Sequence, residues 1–134
     1  MAAIPGGEAL HTLVGLALSY GITELRKPEG LAVSLLEEAG TGERTLTRFT
    51  TDKVDAGVRA ARKKAAESGA ERVAVCWDGK LSGPDGDFRA VMALAQERGQ
   101  PSSLVFAQRY SFDGAQVEVI GAPGYAGDRK TLFP

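Results

Sequence analysis

Three carboxylates, Asp78, Asp85 and Asp87, gather in the stretch Glu71–Asp87, ERVAVCWDGKLSGPDGD, which also holds the chain's one Cys and one Trp. Carboxylates at the mouth of a pocket exchange protons when desolvation or mutual repulsion drives their acidities apart. On that basis Asp78 is the candidate general base and Asp85 or Asp87 the second acid or orienting carboxylate. Further along, Tyr110 is the candidate phenolic catalytic group and Arg109 the candidate anion-binding group. Turn formation and helix capping account for the same aspartates without any reaction, and that plainer account weighs more.

Other chemistry is less well supplied. Cys76 has no His partner close in sequence and no CxxC spacing, so it reads as a small buried hydrophobe before a nucleophile. His11 has no ligand-spaced His, Cys or carboxylate beside it, and surface or helix-packing roles suffice. The aspartates do not match a calcium loop, so no metal is expected. Gly121, Gly124 and Gly127 form GxxGxxG, which is not the dinucleotide fingerprint, and GxxxxGK[ST] does not occur, so no cofactor is expected. Arg44 and Arg48, four apart in RTLTRFTT, form a candidate anion-binding edge set against the more ordinary reading of a solvated strand face.

The elements that must hold these groups follow from periodicity. Leu10, Leu13, Val14, Ala17 and Leu18 form one apolar stripe over Glu8–Tyr20, which predicts a helix that Gly21 ends. A short strand is expected over Leu31–Leu36 and another over Arg44–Phe49. Val54, Val58, Ala61 and Ala65 predict a helix from Thr51 or Asp52 to about Ser68. In the organising stretch, Val73, Val75 and Trp77 alternate with Ala74, Cys76 and Asp78. Both sets are largely apolar, as an interior strand requires. Asp78-Gly79 is the expected reversal after it. Phe88, Val91, Met92 and Ala95 then suggest a helix from Asp85 or Asp87 to Arg98. Ser103–Phe112 and the segment after Asp113-Gly114 read as a hairpin.

The expected fold is α+β, a mixed or largely antiparallel sheet with helices packed on one face. All 134 residues are read as a single domain, with a flexible tail over 1–7 and a surface-laid tail over 121–134. A formal net charge of -1 gives no broad attraction for nucleic acid or an anionic membrane, and neither is an expected partner. The opening MAAIPGG lacks a basic segment and no apolar run approaches a membrane span, so the default expectation is a soluble, cytoplasmic protein. The leading functional expectation is a noncatalytic binding or assembly module. Self-association, a small molecule and an acidic protein surface are its candidate partners. The alternative is a small-molecule enzyme with an acidic pocket near Asp78, Asp85 and Asp87.

Overall fold

A computed structural model describes residues 4–134. In chain order its elements are α1 (Glu8–Leu25), β1 (Val33–Glu38), β2 (Arg44–Phe49), α2 (Val54–Ala66), β3 (Arg72–Gly83), β4 (Gly86–Glu97), β5 (Ser103–Asp113), β6 (Gln116–Val119) and β7 (Gly124–Arg129). The sheet order is β2-β1-β3-β4-β5, and β6 and β7 follow one another along the far edge of β5. Every strand pair is antiparallel. The α+β class with an antiparallel sheet and packed helices therefore holds. Of the tail expected over 1–7, residues 1–3 lie outside the described residues.

Alternation along β3 divides the interior in two. Ala74 and Cys76 join Ala93, Ala95 and the α1 residues Leu10, Leu13, Val14, Leu18, Ile22 and Leu25 in one apolar cluster. Val73 and Val75 join Val33, Leu35, Leu94 and the α2 residues Ala61 and Ala65 in the other. Both alternating rows of β3 are apolar and each needs a cover, so the two helices take opposite faces instead of the one face expected, and side-chain size is complementary on each. Large α1 residues meet Ala74, Cys76, Ala93 and Ala95, with Gly21 set against branched Val91, while α2 offers Gly57, Ala61 and Ala65, one turn apart, to branched sheet residues. Such interlocking brings both interfaces toward the packing density of a protein core.

One row of charges crosses four strands. In register, Arg44 of β2 opposes Glu38 of β1, which opposes Arg72 of β3, which opposes Glu97 of β4. Arg44 Nε donates to Glu38 Oε2 at 2.7 Å, Arg72 Nη1 to Glu38 Oε1 at 2.8 Å, and Arg72 Nε to Glu97 Oε2 at 2.6 Å. Opposite charges directly across strands favour this pairing, and a slip of one residue would move every member to the wrong face.

The structure corrects several local expectations. Gly21 does not end α1: the helix runs on to Leu25 with Gly21 buried in it. A Cβ there would lie 2.5 Å from Val91 Cγ1 and 3.2 Å from Cys76 Sγ, so the glycine is needed for close approach of helix and sheet. The segment expected as a helix to Arg98 is β4. Its residues are good helix formers, yet Ala90, Met92 and Leu94 alternate with Val91, Ala93 and Ala95, and both rows are buried between β3 and β5. Two helix-covered faces leave room for short side chains, and tertiary packing overrides the local propensity. Asp78-Gly79 is likewise no turn but part of β3. The reversal comes at Pro84-Asp85, with Gly83 paired to Gly86, whose φ of 111° suits glycine alone.

Residues 124–129, within the segment expected to lie on the surface, pair with β5 as β7. Beyond them Leu132 and Phe133 are buried in the α2-side core. Buried Gln96 clasps this segment: its Oε1 accepts from Leu132 N at 2.6 Å, and its Nε2 donates to Thr131 Oγ1 and Gln100 O, each at 2.8 Å.

Replacing Gly21 with Ala tests the close approach of α1. An ordinary helix site gains up to about 1 kcal/mol from this change. Here overpacking against Val91 should outweigh the gain and produce a net loss of about 1–2 kcal/mol in urea unfolding. A stabilised Gly21→Ala variant would show that the helix stands off the sheet.

Candidate functional site

Two places on the α1 face merit comparison. The first is built on Asp78. Its Oδ1 accepts a 2.5 Å hydrogen bond from Tyr110 Oη, and its Oδ2 accepts from Arg89 Nη2 at 3.2 Å. Register explains the meeting: Asp78 opposes Val91 of β4, Val91 opposes Gln108 of β5, and Arg89 and Tyr110 lie two residues along on the same face. The Arg89 guanidinium also lies 5.2 Å from the Tyr110 ring centroid and 4.9 Å from that of Phe112. Burial, followed by the hydrogen bond and the charge of Asp78, pushes the Tyr110 phenol well above its ordinary value. Chemically this is a neutral phenol donating to a carboxylate whose second oxygen is already engaged.

The other expected residues lie elsewhere. Arg109 opposes Ala90, a member of the α2-side core, so it points to the opposite face. Its guanidinium carbon lies 3.6 Å from the Phe88 ring centroid, and its buried Nε has no hydrogen-bond partner among the described residues. Asp85 is in the exposed β3–β4 turn, and exposed Asp87 opposes Ser82. Four residues of strand separate Ser82 from Asp78, about 13 Å at the rise of a β-strand. Among the expected residues the structure thus brings together Asp78 and Tyr110 only. Among the described residues, no group of three or more His, Cys, Asp and Glu is placed to hold a metal ion.

The second place is a cavity of about 270 Å³ between α1 and the β1–β2 edge. Leu16, Ala17 and Tyr20 wall it from the helix, Leu36, Leu46 and Arg44 from the strands, and Ser34 and Cys76 line it as well. It exists because a helix about 10 Å across covers roughly two strands at 4.8 Å spacing. α1 lies chiefly over β3 and β4, leaving the β1–β2 flank open. Leu16 and Leu46, each 42% exposed, carry apolar surface to the mouth.

Polar bridges stand near this cavity. Tyr20 Oη donates to buried Glu24 at 3.4 Å, Glu24 pairs with Lys27 at 2.5 Å, and Arg48 of β2 comes within 3.8 Å of it. The Lys27 hydrogen bond, set against burial, holds the Glu24 carboxyl below its ordinary value. The second bridge is Arg44 with Glu38. Cys76 Sγ donates to Ala17 O at 3.4 Å, and burial pushes the thiol up to about 12, so it is neutral at pH 7 and not poised as a nucleophile. A wider hollow of about 510 Å³ beside Phe49 and Val54 is lined partly by Glu29, Arg48, Thr50, Thr51 and Asp52, a more polar surface that suits water.

Sequence reading reached Arg44 and Arg48 as an edge but not the cavity that Arg44 and Leu46 form with α1. Leu16 lies off the helix's apolar stripe and Leu46 sits alone among polar neighbours, and these two unpaired leucines were the available signal. No family model, curated protein or solved structure matches the chain.

Asp78→Asn tests the phenol–carboxylate pair. Removing the charge should lower the Tyr110 titration midpoint toward the ordinary value of about 10, while burial still holds it above. A raised phenol favours the fold through its neutral form. That contribution is full below pH about 10 and fades as pH rises through the folded-state value. Ultraviolet phenolate titration of Asp78→Asn and the parent protein reads the shift; identical midpoints would remove Asp78 as a cause.

Proposed function

We propose that this protein is a noncatalytic binding module whose ligand seats an apolar group between α1 and the β1–β2 edge. The observation that carries this reading is the 270 Å³ apolar cavity with Leu16 and Leu46 exposed at its mouth. Its size is near the lower end of the roughly 300–1,000 Å³ usual for ligand pockets, which favours a small group over a large cofactor. Full burial of a leucine is worth about 1.5–3 kcal/mol, so covering the exposed 42% of one is worth about 0.6–1.3 kcal/mol, and a ligand spanning both gains useful affinity without a charge contact.

Self-association is the other part of the proposal. Phe112, Val119 and Ile120, all exposed around the β5–β6 hairpin, supply apolar surface for it. A second reading, a small-molecule enzyme working at Asp78, draws support from the Tyr110–Asp78 bond, which substrate would have to open.

The uncharged fluorescent probe N-phenyl-1-naphthylamine tests the cavity. It should bind saturably, and Leu46→Lys should weaken it at least about tenfold, the equivalent of 1.4 kcal/mol. Val54→Lys, at a 45% exposed apolar site outside that cavity, should leave binding unchanged. Exposed substitutions of this kind usually alter stability by only about 0.5 kcal/mol, so loss of fold does not mimic the effect. Equal probe binding by parent and Leu46→Lys would reject the site.

A further inference from the structure

We infer that the natural ligand is an extended peptide segment that adds to the free edge of β2, seats one apolar side chain at the cavity and carries carboxylates two residues to either side. The inference rests on the cavity reading above and specifies its partner. Among the described residues β2 pairs with β1 alone and forms one border of the sheet. The antiparallel ladder directs every second β2 backbone N–H and C=O away from β1, leaving groups for another strand to bond.

Side chains on this edge set the chemistry. Leu46 opposes Leu36 on the α1 face, and Arg44 and Arg48, two residues to either side, share that face by strand alternation. The row is therefore Arg, Leu, Arg, with the leucine at the cavity. Residues opposed across paired strands point to the same face. An added strand with an apolar residue opposite Leu46 would thus bring its flanking residues against Arg44 and Arg48. Each arginine is about half exposed, at 44% and 51% of its side chain. Arg44 spends Nε on Glu38 and makes no other hydrogen bond among the described residues, while Arg48 stands 3.8 Å from Glu24. Both have donors left for a carboxylate.

A second copy of β2 fits less well. With the two leucines opposed, its own Arg, Leu, Arg row would set arginine against arginine, and like charges across a strand pair are destabilising. Helix on one side, sheet edge on the other and an apolar hollow between them form the arrangement in which strand addition supplies affinity and alternate side chains supply specificity.

The test compares three fluorescein-labelled heptapeptides, Thr-Asp-Thr-Leu-Thr-Asp-Thr, its counterpart with Lys for both Asp, and its counterpart with Ser for Leu. Fluorescence anisotropy should show the acidic peptide binding about tenfold more tightly than the Lys peptide at low salt, with the gap narrowing as salt rises. The Ser peptide should lose at least about tenfold. Arg44→Gln and Arg48→Gln should each cut the Asp-over-Lys preference several-fold, about the worth of one exposed pair. Bound acidic peptide should also slow amide exchange in β2 and displace the naphthylamine probe. Equal affinity for Asp and Lys peptides, or binding without slowed β2 exchange, would overturn the inference. If the probe binds and no peptide does, strand addition is wrong while the cavity reading stands. If neither binds, both fall.

Discussion

The structure depends on how side-chain size is divided between the two faces of one sheet. β3 and β4 turn Ala74, Cys76, Ala93 and Ala95 toward α1, which answers with leucines, valine and isoleucine. Their other face turns Val73, Val75 and Leu94 toward α2, whose contact surface is alanine and glycine. Each interface needs one partner small where the other is large, because a protein interior tolerates neither voids nor overlap. Gly21 marks the limit of this arrangement, the point where helix and sheet come closest. The charge row from Arg44 to Glu97 fixes the strand register on which the division relies.

The cavity is a consequence of the same geometry. Seated over the short side chains of β3 and β4, α1 cannot also cover β1 and β2. On the β5 side Phe106 and Val117 join the α1 cluster, and the hollow of about 370 Å³ that remains there is bordered by the polar Ser19, Thr23, Arg26 and Gln108. On the β2 side the lining is mostly apolar, with Tyr20, Leu36 and Leu46 around open space. An apolar hollow next to an unpaired strand edge is thus built into the sheet order. The Asp78 centre arises differently: its carboxylate ties β3 to Arg89 on β4 and Tyr110 on β5, and both oxygens are engaged.

Sequence periodicity was informative where burial was one-sided or complete. The α1 stripe, the α2 stripe and the alternating core of β3 are all legible, as is the hairpin at Asp113-Gly114. It misled where small side chains served a packing need. Alanine, methionine and glutamine in β4 favour a helix in isolation, and only the two covered faces make them a strand. Gly21 resembles a helix end for the same reason, since local conformation and close approach both select glycine. Within the candidate site, the two arginines of β2 were visible as an edge. Their placement against α1 was not, because the proximity of Arg44 to Leu16 and Tyr20 and of Arg48 to Glu24 is a tertiary fact that no spacing along the chain encodes.

Whether the hollow between α1 and the β1–β2 edge accepts apolar matter is the central claim, and xenon tests it with no contribution from charge or hydrogen bonding. Xenon enters apolar cavities of sufficient size and perturbs the methyl groups that line them. Under xenon pressure, methyl resonances of Leu16, Leu36 and Leu46 should shift saturably, while those of buried Leu35 and Leu94, on the other face of the sheet, should not. Unchanged Leu16, Leu36 and Leu46 resonances, with shifts elsewhere or none, would contradict the account.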